Sequence, residues 1–374
     1  MKNLSLMIKP ASGLCNMRCA YCFYCDIGEK RDVKHYGFTD DTTMHNIIEK
    51  AVNHAQESLS FVFQGGEPSL AGLDFFENFV EKVNELNSKK LTVSYSLQTN
   101  GLDIDEEMIK FFAKHNFLLG LSLDGDPKNH NLTRLDAKGN HTHAKVLKTA
   151  QLLDLHKVKY NILVVVTRQT ARHVEKIYGY LKSKGFRFLQ FIPCLAPLGE
   201  EPFDNIYSPR PYEYESFLKK LFKLYYDDYM AGSYVSIRFF DNLVRIAMGA
   251  EPEQCGLLGA CPGQFVIEAD GSVYPCDFYC IDHWRLGNIN EMSFAELASS
   301  PKMREFIKTS LHDDENCRLC EYAQLCRGGC RRDRDSSLAG AAGENIYCDA
   351  LYSFFEFAKA GLQEIARFEA SSLG

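Results

Sequence analysis

Fourteen cysteines lie in this 374-residue chain, and their placement limits what it can become. Four fall between Cys15 and Cys25, one is Cys194, and nine fall between Cys255 and Cys348. Cysteines used only for packing would scatter. Clusters without histidine at ligand spacing point instead to thiolate-bound metal. Disulfides would need an oxidising compartment, and the N-terminus argues against export. Leu4–Ile8 is too short for a signal-peptide core, Lys9 follows it, and Leu14 is not the small residue that cleavage before Cys15 would require. The chain is therefore expected to be cytoplasmic. No apolar run approaches the roughly 18 residues of a membrane helix. A net charge of −7 excludes nucleic acid as an electrostatic partner of the fold as a whole. Hydrophobic residues at 45% and charged residues at 24% suit a soluble protein with a full core.

Short apolar runs alternate with amphipathic stretches from residue 4 to residue 231. Leu4–Lys9, Leu59–Gln64, Leu91–Gln98, Phe117–Leu123, Tyr160–Val166 and Arg187–Ile192 read as strands, several of them ending at Gly, Pro or Asp. Helical spacing marks residues 40–57, 73–88, 105–115, 142–157, 170–184 and 211–231. Six β-then-α units imply a parallel sheet covered by helices, either a partial (β/α)6 TIM-like barrel or a doubly wound sheet. Ligands of either fold bind at the carboxyl ends of the strands. Beyond residue 250 helical periodicity fades and Cys and Gly rise. Phe265–Glu268 and Ser272–Tyr274 read as a hairpin. Cysteines are expected to replace a hydrophobic core there, before a closing helix over Leu351–Phe368. The expected division is 1–235 and 236–374.

Cys15, Cys19 and Cys22 form a CxxxCxxC motif just after the first strand. Three thiolates leave one iron of a [4Fe–4S] cluster open for a cofactor. Zinc would recruit a fourth ligand, for which Cys25 is available. With an aromatic residue, Tyr21, before its last cysteine, the motif resembles the radical S-adenosylmethionine (SAM) superfamily. That resemblance implies a SAM cofactor cleaved to a 5′-deoxyadenosyl radical. Gly65-Gly66-Glu67-Pro68, after the second strand, is similar to the family motif that holds the SAM amino group. Ser122 and Asp124 at the end of the fourth strand, with Arg134, match cofactor contacts, the arginine suiting a carboxylate. Tyr21 and Leu195 match positions touching the nucleoside. Alone, each of these would more often be structural.

A second pattern runs Cys255, Cys261 and Cys276, then Cys317, Cys320, Cys326, Cys330 and Cys348. Eight cysteines suffice for two fully ligated [4Fe–4S] clusters. The spacing resembles the SPASM extension of radical SAM peptide-modifying enzymes. This implies one auxiliary cluster on Cys255, Cys261, Cys276 and Cys330, and another on Cys317, Cys320, Cys326 and Cys348. Zinc in the 317–330 segment is the alternative. Cys25, Cys194 and Cys280 are left over and read as small buried hydrophobes.

Gly271–Tyr279 and most of the chain are similar to anaerobic sulfatase-maturating enzymes. The implied reaction oxidises a Cys or Ser of an unfolded sulfatase, in a Cys-x-Pro-x-Arg motif, to Cα-formylglycine. Asp277 would take the thiol or hydroxyl proton as a carboxylate of ordinary pKa, near 3.9, and a flavodoxin- or ferredoxin-type reductant would supply electrons. Alternatively, Asp277 hydrogen-bonds amides of the cluster loop. Tyr24, Gln64 and Gln98 lie at strand ends and could contact the peptide or only support the core. Two rival readings stand. One is a SPASM maturase that crosslinks a ribosomal peptide, although the 14 residues before Cys15 and the 26 after Cys348 leave no room for the added recognition domain such enzymes often carry. The other is an iron–sulfur electron carrier or zinc module.

Overall fold

A computed structural model describes residues 2–311, 315–335 and 343–372. They form two compact units, each of which the chain enters more than once. The first comprises Met1–Leu123, Asn131–Tyr160 and Gly263–Phe306, and the second comprises Asp124–His130, Asn161–Pro262 and Ile307–Gly374.

In the first unit, β1 (Asn3–Ile8), β2 (Ser58–Phe63), β3 (Thr92–Thr99) and β4 (Leu118–Ser122) pair in parallel in that order. Alternate residues are buried, Leu4, Leu6 and Ile8 on β1 and Leu59, Phe61 and Phe63 on β2. That face meets aromatic residues of the covering helices. Phe63 stands 5.2 Å from Phe76 and 5.0 Å from Phe79 of the helix Leu73–Leu86. The opposite face carries a row of serines beside Met7 and Val62. Ser5, Ser60 and Ser94 are in register across three strands, and Val62 is paired with Ser96 one row on. A sheet apolar on one side and serine-lined on the other has one packed face and one face able to receive a ligand.

The hairpin expected near residue 270 is present as β8 (Phe265–Ile267) and β9 (Ser272–Tyr274). Its place was not legible in the sequence. β8 pairs in parallel with β1, Leu6 opposite Phe265, and β10 (Gly287–Asn288) extends β9. The residues after 250 also have a core of their own, against expectation. Trp284 is fully buried and packs 5.0 Å from Phe306, which lies 5.3 Å from Tyr279. Short 3-10 turns carry Tyr279 and Trp284 and leave no repeat there long enough to register as a period, while Phe306 lies on the helix Pro301–Ser310.

The second unit holds β5 (Lys159–Val166), β6 (Phe188–Pro193) and the short β7 (Ser236–Ile237), all parallel. The closing helix begins earlier than its periodicity suggested, at Cys348, and runs to Ser372. It lies along the helix Pro211–Met230, where Gly361 allows close approach to Phe222 and Tyr226. Among the described residues no helix is long and apolar enough to cross a membrane.

Candidate active site

The loop after β1 carries Cys15, Cys19 and Cys22, and the glycines after β2 hold it down. Gly66 N donates to Ser12 O at 2.8 Å and Glu67 N to Leu14 O at 2.7 Å. A Cβ on Gly66 would sit 2.1 Å from Leu14 O. Gly65 has φ +122° and packs against Lys9 and Ser12, a conformation that only glycine adopts readily. Gly66→Ala is therefore expected to dislodge the loop and lower bound iron by about four atoms per chain, read by iron analysis of the reconstituted protein.

Glu67 is buried, and its carboxylate faces the chain. It accepts from Ser69 N, Thr99 Oγ1 and Asn100 N at 2.7–3.0 Å. Burial raises its pKa against these bonds. Asn100, which the sequence did not single out, is positioned by that contact. Its Nδ2 donates to Asn16 Oδ1 at 2.8 Å and lies 3.6 Å from Cys15 Sγ. Met17 N points at the same sulfur from 3.4 Å, and Arg134 Nη1 lies 3.9 Å from Cys19 Sγ, its guanidinium 5.5 Å from the Tyr21 ring. Burial pushes the Cys15 thiol up to about 11. A hydrogen bond from Cys25 is the main influence lowering Cys22 to about 6. Cys25 is exposed and partnered with Cys22, so it is not the buried hydrophobe expected; Cys194 and Cys280 are buried. Thiols with N–H groups turned toward their sulfurs fit an anionic iron–sulfur cluster. Among the described residues no three His, Cys, Asp or Glu side chains converge on a point that could hold a single metal ion.

Asp277 lies in the same unit, buried, in the turn after Cys276. Its Oδ2 accepts from Tyr24 OH at 2.6 Å and from Gln64 Nε2 at 3.0 Å. Tyr24 and Gln64 are thus Asp277 partners, and Asp277 does not bond cluster-loop amides. Its Oδ1 has no hydrogen bond and lies 3.7 Å from Lys9 Nζ. Lys9 in turn reaches Glu268 Oε1 at 2.9 Å, and Arg31 reaches the same oxygen at 2.6 Å. Glu268 is held down at about 2, the attraction of Lys9 and Arg31 outweighing burial. The Asp277 pKa is raised, chiefly by burial, with Lys9 opposing. It is therefore not the ordinary carboxylate expected. Burial foremost, then Asp277, raises Tyr24. Gln98 is placed elsewhere, its Nε2 donating to Ser122 Oγ at 3.1 Å.

In the second unit Asp124 is buried, its Oδ1 accepting from Val165 N at 2.9 Å. Leu195 follows Cys194, whose amide continues from β5 through Val166 O. Two cysteine groups stand in this unit. Cys326 interacts electrostatically with Cys317 and Cys320, and Cys348 with Cys317 and Cys326. Cys330 turns to Cys255 and Cys261 instead, with Gly256 against its backbone. Cys276 belongs to the first unit.

Comparison with known proteins bears directly on this arrangement. Residues 10–181 match the Radical SAM superfamily and residues 260–321 the SPASM iron–sulfur cluster-binding domain. A cysteine-type anaerobic sulfatase-maturating enzyme of Clostridium perfringens (strain ATCC 13124) is 49% identical, covering 98% of this chain and 99% of its own. This chain belongs to the anaerobic sulfatase-maturating enzymes. As a radical SAM enzyme of that family, it is neither a bare electron carrier nor a zinc module. Native anSMEcpe, solved with bound AdoMet and the Cp18Cys peptide, shares its fold at a TM-score of 0.94 with 48% identity, covering 98% of this chain and 99% of that one. A serine-type anaerobic sulfatase-maturating enzyme of Bacteroides thetaiotaomicron is 27% identical over 95% of this chain and 89% of its own. Membership of this family implies iron–sulfur clusters and SAM as cofactor.

Proposed function

We propose that this sulfatase-maturating enzyme oxidises a cysteine in a Cys-x-Pro-x-Arg segment of an unfolded sulfatase to Cα-formylglycine. The greater identity to the cysteine-type relative, 49% against 27% for the serine-type, favours cysteine as its target. In this reading Cys15, Cys19 and Cys22 hold the cluster that binds SAM, within residues 1–235. The eight later cysteines hold two auxiliary [4Fe–4S] clusters, within residues 236–374. A flavodoxin- or ferredoxin-type protein supplies electrons. Gly65, Gly66, Ser122, Asp124, Arg134, Tyr21 and Leu195 shape the cofactor site, with Glu67 acting through the loop it straps down.

When bound, SAM supplies a 5′-deoxyadenosyl radical that removes a hydrogen from the target Cβ. The second electron would leave through an auxiliary cluster, and water would then replace the sulfur, released as hydrogen sulfide; the chain's own side chains take the thiol proton. Asp277 accepts it at Oδ1, the oxygen that carries no hydrogen bond. Tyr24 and Gln64 fix the carboxylate through Oδ2, and Lys9 stabilises its charge from 3.7 Å. That half-satisfied, anchored carboxylate is the observation that carries the reading.

Anaerobic incubation with SAM, a reductant and a Cys-x-Pro-x-Arg peptide is expected to yield formylglycine and 5′-deoxyadenosine, both read by mass spectrometry. Deoxyadenosine without formylglycine would sink the substrate assignment. Neither product would sink the reaction.

A further inference from the structure

Arg334 is buried, and two of its nitrogens, Nε and Nη1, are enclosed without a hydrogen-bond partner among the described residues. Only Nη2 is anchored, donating to Ser310 O at 2.8 Å. Arg331 is provided for differently, lying 3.3 Å from the Asp335 carboxylate and donating to Thr309 Oγ1 at 3.0 Å. A buried donor left unpaired is costly, and more so when charged. Two on one guanidinium imply an acceptor that the described residues do not themselves provide.

The surroundings indicate what that acceptor is. Ser310, which anchors Nη2, also accepts the Cys261 amide on its hydroxyl at 2.9 Å. Arg334 acts electrostatically on both Cys261 and Cys326. Cys261 already feels Arg331, whereas Arg334 is the cation acting on Cys326, the cysteine grouped with Cys317, Cys320 and Cys348. A cluster there would offer sulfur acceptors and negative charge together, and guanidinium N–H groups suit both.

We propose that Arg334 donates hydrogen bonds from Nε and Nη1 to sulfur atoms of the auxiliary cluster held by Cys317, Cys320, Cys326 and Cys348, and so sets that cluster's reduction potential. The proposal rests on reading those four cysteines as cluster ligands. Donors and positive charge at the sulfurs stabilise the more negative, reduced state and raise the potential.

The test is an anaerobic redox titration of the full reconstituted chain followed by electron paramagnetic resonance, with the relevant signal assigned by its loss in Cys348→Ala. Arg334→Leu is expected to lower the reduced-to-oxidised ratio at a fixed potential at least tenfold, which is 59 mV for a one-electron couple. Arg334→Lys keeps the charge but loses the planar fork, so it should shift the ratio less. Wild-type protein exchanged into deuterium oxide should show exchangeable deuterons coupled to this cluster, and Arg334→Lys should lose that coupling. This measurement decides the matter if Arg334→Leu fails to hold iron. Unmoved potentials in both variants, or no deuteron coupling in the wild type, would overturn the role of Arg334. Bound iron separates this failure from the other: about twelve atoms per wild-type chain supports the auxiliary clusters, and about four removes the reading on which the proposal stands.

Discussion

Asp277→Asn is expected to keep its iron–sulfur clusters and SAM binding while losing about 10²–10⁴-fold in peptide oxidation, the usual contribution of a positioned base. The substitution nearly preserves volume, so the pocket stays filled. The amide oxygen can still accept from Tyr24 and Gln64, as Oδ2 does now. The amide nitrogen then takes the place of Oδ1, the one position left without a bond. It is a donor and cannot accept a proton. The measurement is formylglycine formed per turnover, beside deoxyadenosine and iron content. Normal product from the variant removes Asp277 from the reaction. The pH profile adds a sign. Burial raises the Asp277 pKa, and a base works only when deprotonated. Wild-type activity should therefore fall with decreasing pH through a value above the ordinary ~3.9 of aspartate. The residual activity of the variant should lack that limb.

Glu268→Gln is expected to lower stability by about 3–5 kcal/mol, because breaking a buried ion pair strands its partners. Glu268 is fully enclosed and accepts from both Lys9 and Arg31 through one oxygen. Removing its charge leaves two buried cations, of which Lys9 alone still faces a carboxylate, Asp277 at 3.7 Å. Adding Arg31→Met restores the balance of one cation to one carboxylate and should recover part of the loss, a coupling that a denaturant-midpoint cycle reads directly. Lys9 and Arg31 together overcome burial and hold Glu268 at about 2, below its unfolded value near 4.3. A depressed carboxylate contributes stability above its unfolded pKa and loses it as pH falls through its folded pKa. The gap between wild type and Glu268→Gln should therefore be full near neutrality, narrow below pH ~4 and close near pH ~2. A deficit under about 1 kcal/mol at pH 7, the range of an exposed pair, would mean that the cluster does not hold Lys9 in place.

Lys9 shows how a residue can be visible in sequence and still misread. It follows the apolar run Leu4–Ile8, where it argued against a signal peptide. In the fold it is among the most deeply buried charges and stands beside the candidate base. Nothing local marks it, because its partner Glu268 is more than two hundred residues away. Asn100 was missed for a related reason. It lies beyond β3, and only the contact with Glu67 turns its side chain toward Cys15. Cys25 was read as packing because three cysteines satisfy the motif, yet the turn after Cys22 leaves it exposed and bonded to that ligand.

What the chain's letters determined unaided were the features carried by short-range order. Alternating burial and helical spacing place six strands and their helices, since each pattern is written within one element. Cysteine spacing separates the three-thiol motif near the N-terminus from the later run of eight, because each is written within its own stretch of chain; how those eight divide in two came from the resemblance. Tertiary structure alone decided that the late hairpin extends the sheet at β1, that Glu67 straps a loop, and that Lys9, Arg31, Glu268 and Asp277 share one buried charge cluster. It also raised the pKa of that aspartate. The physical reason is the same in each case: burial and electrostatic balance belong to side chains brought together from distant positions, and no local pattern encodes which charges will meet once water is excluded.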